Sequence, residues 1–278
     1  MAIHNSVFLY GKVLVEPKII KNEQGENMRA MFSMSVIRNN KRKTGNEDEP
    51  IVYDTPIIFS QNPEIIKIIE LIKPNDIIQL KGVLVTKNVK KGAICPCCQT
   101  KNMIDGVRGL INPIYLKIIK QNNTSDEAFN LLRESQEVSN TCTIIGTVCN
   151  QPELYISPKG VKTTQYQLAI NRKYKIKEDP PEIRTDYPWV KSYGELAEMD
   201  NVCLQQGSLV FIDGFLQTRS FLRTFNCCNE DCNELIEWKD NVVEIIPYQT
   251  EFLNNFTTPE EKEIEDKLEV ENLLKNDL

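Results

Sequence analysis

The chain has 278 residues, of which 41% are hydrophobic and 26% charged, and its formal net charge is −6. This length is sufficient for two domains that each bury a hydrophobic core. The longest apolar runs are much too short to span a bilayer, which argues against an integral membrane protein.

The start of the chain lacks the basic, apolar and cleavage features of a signal peptide, so we expect a cytoplasmic protein. In a reducing compartment its nine cysteines are more typical of free thiols or metal ligands than of disulfides. The acidic net charge at first argues against a nucleic-acid partner. However, residues 255–278 hold eight acidic residues against three lysines, so the rest of the chain is close to neutral and contains several basic clusters.

The first half of the chain reads as a series of short strands. Residues 6–15 predict a strand bent at Gly11 and ended near Pro17, and residues 63–72 predict a helix that begins with Pro63. The other strands are predicted at residues 31–38, 51–59, 76–85 and 110–119.

The second half repeats this order. Gly146 and Pro152 have the spacing of Gly11 and Pro17, and Gly214 interrupts its strand as Gly82 does in the first half. The strands are predicted at residues 141–148, 166–172, 187–193, 207–216 and 242–252, with a short helix or loop at 195–205.

Five strands with a helix between the third and fourth indicate a small, partly open barrel of the oligonucleotide/oligosaccharide-binding (OB) kind. A sandwich or another sheet topology is the alternative. We therefore predict an all-β chain of two tandem OB-fold barrels, at residues 1–120 and 139–254. A partly helical linker, 121–138, with Ser125 as a helix cap, and an acidic tail, 255–278, complete the chain.

The strand after Gly214 changes character and places Arg219, Phe221, Arg223 and Phe225 on alternate positions. These side chains share one face, because the side-chain period of a strand is two residues. Unpaired arginines make a poor core, whereas rings and cations together suit the bases and backbone of a single strand.

The third strand of each half is aromatic. Tyr187, Trp189 and Tyr193 share one face in the second half, and Tyr53 and Phe59 share one face in the first. Such rings are usually core, but flanking basic residues favour a binding surface here. The predicted nucleic-acid-binding residues are Trp189, Tyr193, Tyr187, Phe221, Phe225, Arg219, Arg223, Arg172, Lys173, Tyr174, Lys175, Tyr53, Phe59, Arg38, Lys87, Lys90 and Lys91.

A group of cysteines follows the fourth strand in each half. Cys95 and Cys98 form a C-x-x-C pair, and Cys227 and Cys232 form a more widely spaced pair. Because a structural zinc needs four ligands, we predict one zinc held by these four thiolates, with Cys97 and Cys228 as alternates. Two ions completed by another molecule, or free thiols, are the alternatives. Trp238 follows the second group and is expected to pack on it.

Several segments resemble bacterial-type single-stranded DNA-binding proteins. NSVFLYGKVLVEPKI and NTCTIIGTVCNQPEL resemble the opening of that family, and GSLVFIDGFLQTRSF resembles its fourth strand and the following hairpin. YPWVKSY and YDTPIIF correspond to its aromatic-rich third strand. The likeness covers residues 5–120 and 139–254 and is stronger in the second half. Two barrels and the cysteines depart from the common form, which indicates a divergent branch such as that of a phage, plasmid or other mobile element.

The resemblance implies that the protein binds and protects single-stranded DNA, with little sequence preference, during replication, recombination or transfer. An interaction scaffold of a replication or transfer complex, or a binder of single-stranded RNA, is the alternative. With one histidine and neither a phosphate-binding loop nor a nucleophile elbow, we expect no enzymatic activity. The acidic tail is expected to compete with DNA for the basic surface and to contact replication or transfer proteins.

We also expect a homodimer, and a string of monomers along the DNA is the alternative. Related single-barrel proteins work as assemblies of four barrels, a number that two copies of this chain would supply. Closed twofold dimers are the commonest soluble oligomers. Light scattering of the DNA-free protein at micromolar concentration tests this expectation, and a monomer would contradict it.

Overall fold

The computed structural model describes residues 4–38, 51–172, 185–264 and 267–268, and most of them lie in strands. The first half contains β1 (His4–Val13), β2 (Lys18–Lys21), β3 (Asn27–Arg38), β4 (Val52–Asp54), β5 (Ile57–Ser60), α1 (Pro63–Ile69), β6 (Ile77–Ile94) and β7 (Lys101–Lys120). A helix, α2 (Ser125–Glu134), and a 3-10 turn (Gln136–Val138) follow.

The second half contains β8 (Asn140–Val148), β9 (Glu153–Ile156), β10 (Lys162–Asn171), β11 (Thr185–Asp186), β12 (Trp189–Tyr193), α3 (Glu195–Cys203), β13 (Leu204–Asn226) and β14 (Leu235–Phe256). The order of strands and helix is the same as in the first half. The predicted all-β fold, with a helix between the third and fourth predicted strands, is confirmed. The predicted third strand is divided in both halves, at Pro56 and at Pro188, because proline has no N–H to donate to a ladder.

Each half closes on itself. In the first, β1 pairs with β6, β6 with β7, β7 with β5 in parallel, β5 with β3, and β3 returns to β1. In the second, β8, β13, β14, β12 and β10 make the same circuit. The core lies inside these circuits, and burial alternates along β8 because successive side chains point to opposite faces.

The glycines that interrupt β6 and β13 permit close backbone approach. A Cβ on Gly82 would collide with the carbonyl group of Asn112, and one on Gly214 with that of Ile246. The ladder register shifts at both glycines, as expected for a bulge that bends a barrel strand.

The two halves are joined through their first strands. β1 and β8 pair in antiparallel fashion from His4↔Ile145 to Leu9↔Asn140, so one sheet continues from one barrel into the other. Val7 and Cys142, which occupy equivalent positions in the two halves, lie opposite each other in this ladder and are fully buried. The junction is therefore nearly symmetric about that pair.

Two sets of side-chain hydrogen bonds stabilise the region around this junction. The first set, made by two asparagines, lies within each half. Asn5 donates to the Leu84 carbonyl and accepts from the Leu84 N–H, at 2.8 and 2.9 Å. Asn140 makes the same two bonds with Leu216, at 2.8 and 3.1 Å. Each asparagine thus ties the first strand of its own half to the strand that runs beside it.

Buried aspartates make the second set of hydrogen bonds, and these bonds connect one half to the other. Asp54 of the first half accepts from the Thr218 N–H of the second at 2.7 Å, and Asp186 of the second accepts from the Thr86 N–H of the first at 2.7 Å. Arg38 pairs with Asp54 in a bidentate contact at 2.8 and 3.0 Å. Because both carboxylates are fully buried, these bonds fix the relative placement of the two barrels.

The helix between the barrels begins at Ser125, but its N-cap is Thr124 rather than the predicted Ser125. The Thr124 hydroxyl accepts from the Glu127 N–H, and the Glu127 carboxylate accepts from the Thr124 N–H, which forms a capping box. Within the described ranges, no helix has the length and apolar character needed to cross a bilayer.

We expect Asp54→Ala to destabilise the protein by about 3–5 kcal/mol, since it leaves the Arg38 guanidinium and the Thr218 N–H without their buried partner. Asp105→Ala is the matched control, because Asp105 pairs with Lys90 on the surface, where such pairs contribute only about 0–1 kcal/mol. Urea denaturation measures both changes. Equal destabilisation by the two variants would contradict a locking role for Asp54.

Candidate nucleic-acid interface

An aromatic face lies on the outside of the second barrel. Val190 and Ser192 of β12 point into the barrel and are fully buried, so Trp189 and Tyr193 point outward. The exposed fraction is 40% for Trp189 and 48% for the neighbouring Tyr187. These large apolar rings are accessible from solvent and can therefore stack on a ligand.

Cations and a ring continue this surface on β13. The guanidinium groups of Arg219 and Arg223 lie 5.3 and 5.0 Å from the ring centre of Phe221, so cation–π contacts line up along the strand. Arg219 pairs with Glu244 at 2.9 Å, a contact that raises the pKa of the guanidinium, and Arg223 pairs with Asp240 at 3.0 Å. Both arginines keep more than 40% of their side chains exposed and can therefore still reach a ligand.

The first barrel lacks most of this aromatic surface. Ile57 pairs with Ser33 in the first half, and Trp189 pairs with Gln167 at the same place in the second half. Ile57 therefore occupies the position that Trp189 has in the second barrel. The backbone N–H of Thr55 donates to the Thr218 hydroxyl as that of Tyr187 donates to the Thr86 hydroxyl. Phe59, whose ring lies 4.6 Å from the ammonium group of Lys87, keeps an aromatic and cationic pair in the first half.

Three predicted DNA-binding cations are instead held in ion pairs with buried aspartates. Arg172 and Lys91 are buried, which corrects their assignment as surface contacts, whereas Arg38 is partly exposed. Arg172 pairs with Asp186 at 2.7 Å, and Lys91 pairs with Asp240 at 2.9 Å, each with a side chain only 3% exposed. Arg38, 18% exposed, pairs with Asp54. A buried cation needs a carboxylate partner, and a partnered, enclosed cation is out of reach of a phosphate.

Two predicted stacking rings also have other neighbours. Tyr53 packs edge-on against Phe129 of α2, with ring centres 5.4 Å apart, and the ammonium group of Lys12 lies 3.7 Å from the Phe129 ring. Phe225 packs against the buried cysteines at the end of β13. The linker helix and the cysteine cluster thus each cover part of one of these rings.

The remaining predicted cations are less informative. Lys90 forms an exposed pair with Asp105 at 2.7 Å. Lys173, Tyr174 and Lys175, predicted as a phosphate track, lie outside the described residues.

The cysteines of the two halves come together where the long β6–β7 and β13–β14 hairpins end. The sulfur atoms of Cys95, Cys98, Cys227 and Cys232 all lie within 4.8 Å of one another. The Cys98–Cys227 distance is 3.5 Å and the Cys95–Cys232 distance is 3.8 Å. The prediction that these four residues meet is confirmed.

This arrangement has the size of a tetrahedral thiolate site. Sulfur atoms bound about 2.3 Å from one zinc ion lie about 3.8 Å apart. Hydrogen bonds with Thr100 lower the pKa of the Cys98 thiol to about 6, which favours the thiolate that a metal needs. The alternates, Cys97 and Cys228, are exposed and lie outside the cluster.

Sequence reasoning missed the residues that support this cluster. Asn102 donates to the Cys227 sulfur at 3.7 Å and accepts from the Cys228 N–H at 2.7 Å, so it links the two cysteine loops. The buried Lys91–Asp240 pair joins the same hairpins nearer the barrels. The sequence holds no local signal for this contact, because Lys91 and Asp240 are 149 residues apart.

Three other cysteines lie within or beside the second barrel, away from this cluster. Cys142 and Cys203 are buried, and burial raises the pKa of both thiols. Cys149 is half-buried, and its pKa is also raised by burial. These residues act as small apolar side chains.

Comparison with known proteins adds to this geometry. Residues 139–226 match the sequence model of the Single-strand binding protein family. The second half of the chain resembles bacterial-type single-stranded DNA-binding proteins. Single-stranded DNA-binding protein 2 of Staphylococcus aureus (strain COL) is 34% identical over 82 residues, which are 30% of this chain and 58% of that protein. Single-stranded DNA-binding protein 1 of Chlorobaculum tepidum is 30% identical over 82 residues, 30% of this chain and 51% of that protein.

The chain thus spans just over half the length of these curated relatives. Among solved structures, the wild-type single-stranded DNA binding protein from Thermus aquaticus aligns with a TM-score of 0.58 and 16% identity. That alignment covers 91% of this chain and 95% of the other. A deletion mutant of the same protein gives a TM-score of 0.56 over 92% and 98% of the two chains. These matches show that the fold is shared over almost the whole chain.

Proposed function

We propose that this protein binds single-stranded DNA, mainly through the outer face of its second barrel. The observation that carries the proposal is the exposed surface of Trp189 and Tyr187 beside the Arg219–Phe221–Arg223 row. Exposed rings stack on unpaired bases, and neighbouring cations attract the phosphates. The sequence model of the Single-strand binding protein family matches residues 139–226, in this same half of the chain.

The first barrel has a different part in this proposal. Its equivalent positions hold Thr55 and Ile57, and Phe59 with Lys87 is its remaining cationic and aromatic pair. We assign it the roles of holding the second barrel in place and of lengthening the path for the strand. The barrels correspond to residues 1–120 and 139–254, the linker to 121–138 and the tail to 255–278.

Trp189→Ala is expected to weaken binding of oligo(dT) by about 1–3 kcal/mol, because one stacking ring is lost. Ile57→Ala, at the equivalent position of the first barrel, is the matched control and should change binding much less. Fluorescence anisotropy with labelled oligo(dT), oligo(rU) and a duplex measures affinity as salt is raised. Affinity for single strands should fall with salt as counterions are released.

The same titrations distinguish the alternatives. Equal affinity for duplex and oligo(dT) would refute stacking as the basis of binding. Tighter binding to oligo(rU) would identify an RNA-binding protein. Absence of binding to any nucleic acid would leave the role of a scaffold in a replication or transfer complex.

We further propose that the four clustered cysteines hold one structural zinc ion. Their mutual distances fit one tetrahedral site, and both hairpins supply two ligands each. The metal would hold the hairpin ends together, while Asn102 orients the loop that contains Cys227. Such an ion contributes directly to folding free energy.

One zinc ion per chain is therefore expected in elemental analysis of the purified protein. A chelator, or Cys98→Ser, should remove it and lower the melting temperature, whereas Cys97→Ser, an exposed neighbour outside the cluster, should do neither. Two ions per chain would indicate that each cysteine pair is completed by another molecule. Absence of zinc would leave the cluster as free thiols.

The acidic tail is proposed to compete with DNA. Its start is helical at residues 259–264, and Thr258 and Glu261 form a capping box, with bonds of 2.8 and 3.2 Å. Residues 265–266 and 269–278, which hold the rest of the predicted partner-binding segment, lie outside the described residues.

Deletion of residues 257–278 removes eight acidic residues and three lysines, so binding of oligo(dT) should tighten at low salt. The difference should vanish at high salt, because exposed charges are screened beyond about 10 Å at 0.1 M. Anisotropy titrations at both salt concentrations measure the effect, with circular dichroism as the control for folding. Unchanged affinity at low salt would show that the tail does not compete with DNA.

A further inference from the structure

A cleft of about 320 Å³ lies between the β13–β14 hairpin of the second half and the outer face of the first barrel. Its second-half wall includes Trp238 and Lys239 of β14, and its first-half wall includes Ile57 and Arg108. Arg219 lines the cleft and also contacts the Phe221 ring. The cleft therefore opens next to the aromatic and cationic face of the second barrel.

Trp238 belongs to that face. In the ladder between β13 and β14, Trp238 lies opposite Arg223 and Asp240 lies opposite Phe221. Because directly opposed residues point to the same face, these four side chains share one face of the hairpin. Trp238 is half-buried and is not among the apolar residues that pack on the cysteine cluster, contrary to the expectation from sequence. Ile104 holds the equivalent position in the first half, opposite Lys91.

The charges of the cleft favour an anion. Most cations near the hairpins are neutralised by carboxylates, as in the Lys91–Asp240, Arg223–Asp240 and Arg219–Glu244 pairs. Within the described part of the chain, the side chains of Arg108 and Lys239 have no such partner. Asp240 also lines the cleft, but two cations already neutralise it.

We propose that this cleft binds one nucleotide of the single strand, with the base against Trp238 and the phosphate between Arg108 and Lys239. The proposal rests on the proposed function, and it extends the path of the strand from the second barrel to the first. A ring beside two unpaired cations is the combination that single-strand binding requires. The hydroxyls of Ser33 and Thr55 on the opposite wall add polar groups within the same space.

The chain has only two tryptophans, so each can be observed alone. In Trp189→Phe, which keeps a stacking ring, Trp238 is the sole indole, and oligo(dT) should quench its emission in a salt-reversible manner. In Trp238→Phe, the remaining emission comes from Trp189, and its quenching by oligo(dT) is measured in the same way. Anisotropy of labelled oligo(dT) in the same samples shows whether the strand is bound.

Removal of the cleft cations provides an independent measurement. Arg108→Gln and Lys239→Gln should each weaken binding and make the slope of log affinity against log salt shallower by roughly 0.7, the value for one phosphate contact on a single strand. Lys159→Gln, in the turn between β9 and β10, is the matched loss of one charge and should change the slope less. Trp238→Ala should weaken binding about 5- to 100-fold, and Ile104→Ala much less.

The outcomes separate this proposal from the proposed function. If the strand binds and Trp189 is quenched, but Trp238 is not, the cleft does not hold a nucleotide, and single-strand binding by the outer face still stands. Equal salt slopes for Lys239→Gln, Arg108→Gln and Lys159→Gln would likewise refute the nucleotide site in the cleft, while binding by the outer face would still stand. Failure of the unmodified protein to bind oligo(dT) would overturn both proposals.

Discussion

The antiparallel ladder between β1 and β8 is the interaction on which the rest of the molecule depends. It places two barrels side by side in one continuous sheet, with Val7 opposite Cys142 at the centre. A ladder alone could slide by two residues and still bury the same faces. The buried Asp54 and Asp186 accept hydrogen bonds from Thr218 and Thr86 of the opposite half. They oppose such a shift, because a slide would break these bonds and leave buried carboxylates without those donors.

This fixed placement explains why the long hairpins meet. Once the barrels are held, β7 and β14 run next to each other, and Gly109 leaves room for Val243 where they touch. Farther out, the buried Lys91–Asp240 pair and then the four cysteines join the hairpins at two more points. Burial of an ion pair is favourable only when its geometry is good, so this contact also specifies how the hairpins align.

Similar halves have thus taken up different roles. Equivalent strand positions hold Trp189 in the second barrel and Ile57 in the first, and equivalent hairpin positions hold Trp238 and Ile104. The ring-rich half is the half that matches the single-strand binding protein family. The first half, which has fewer exposed rings, contributes the opposite wall of the cleft and two of the four clustered cysteines.

The sequence by itself determined the features that depend on local periodicity. Alternation of side chains predicted the strands and the shared face of Arg219, Phe221 and Arg223, and the repeated order of glycine, helix and cysteines predicted two similar units. The choice of Cys95, Cys98, Cys227 and Cys232 also came from spacing, together with the coordination number of zinc. The strand faces were predictable because neighbours within a few residues decide them. The meeting of the two distant cysteine pairs was predicted from the four ligands that a structural zinc needs.

Only the tertiary structure decided which of the candidate residues face solvent. Arg172 and Lys91 look like surface cations in the sequence, yet each pairs with a distant aspartate and is buried with it. Arg38 pairs with the buried Asp54 and keeps only 18% of its side chain exposed. Tyr53 is covered by the linker helix, and Trp238 lines a cleft that exists only because the two halves are fixed together. A strand pattern specifies the face of a side chain, but the partner of that face depends on how distant segments pack.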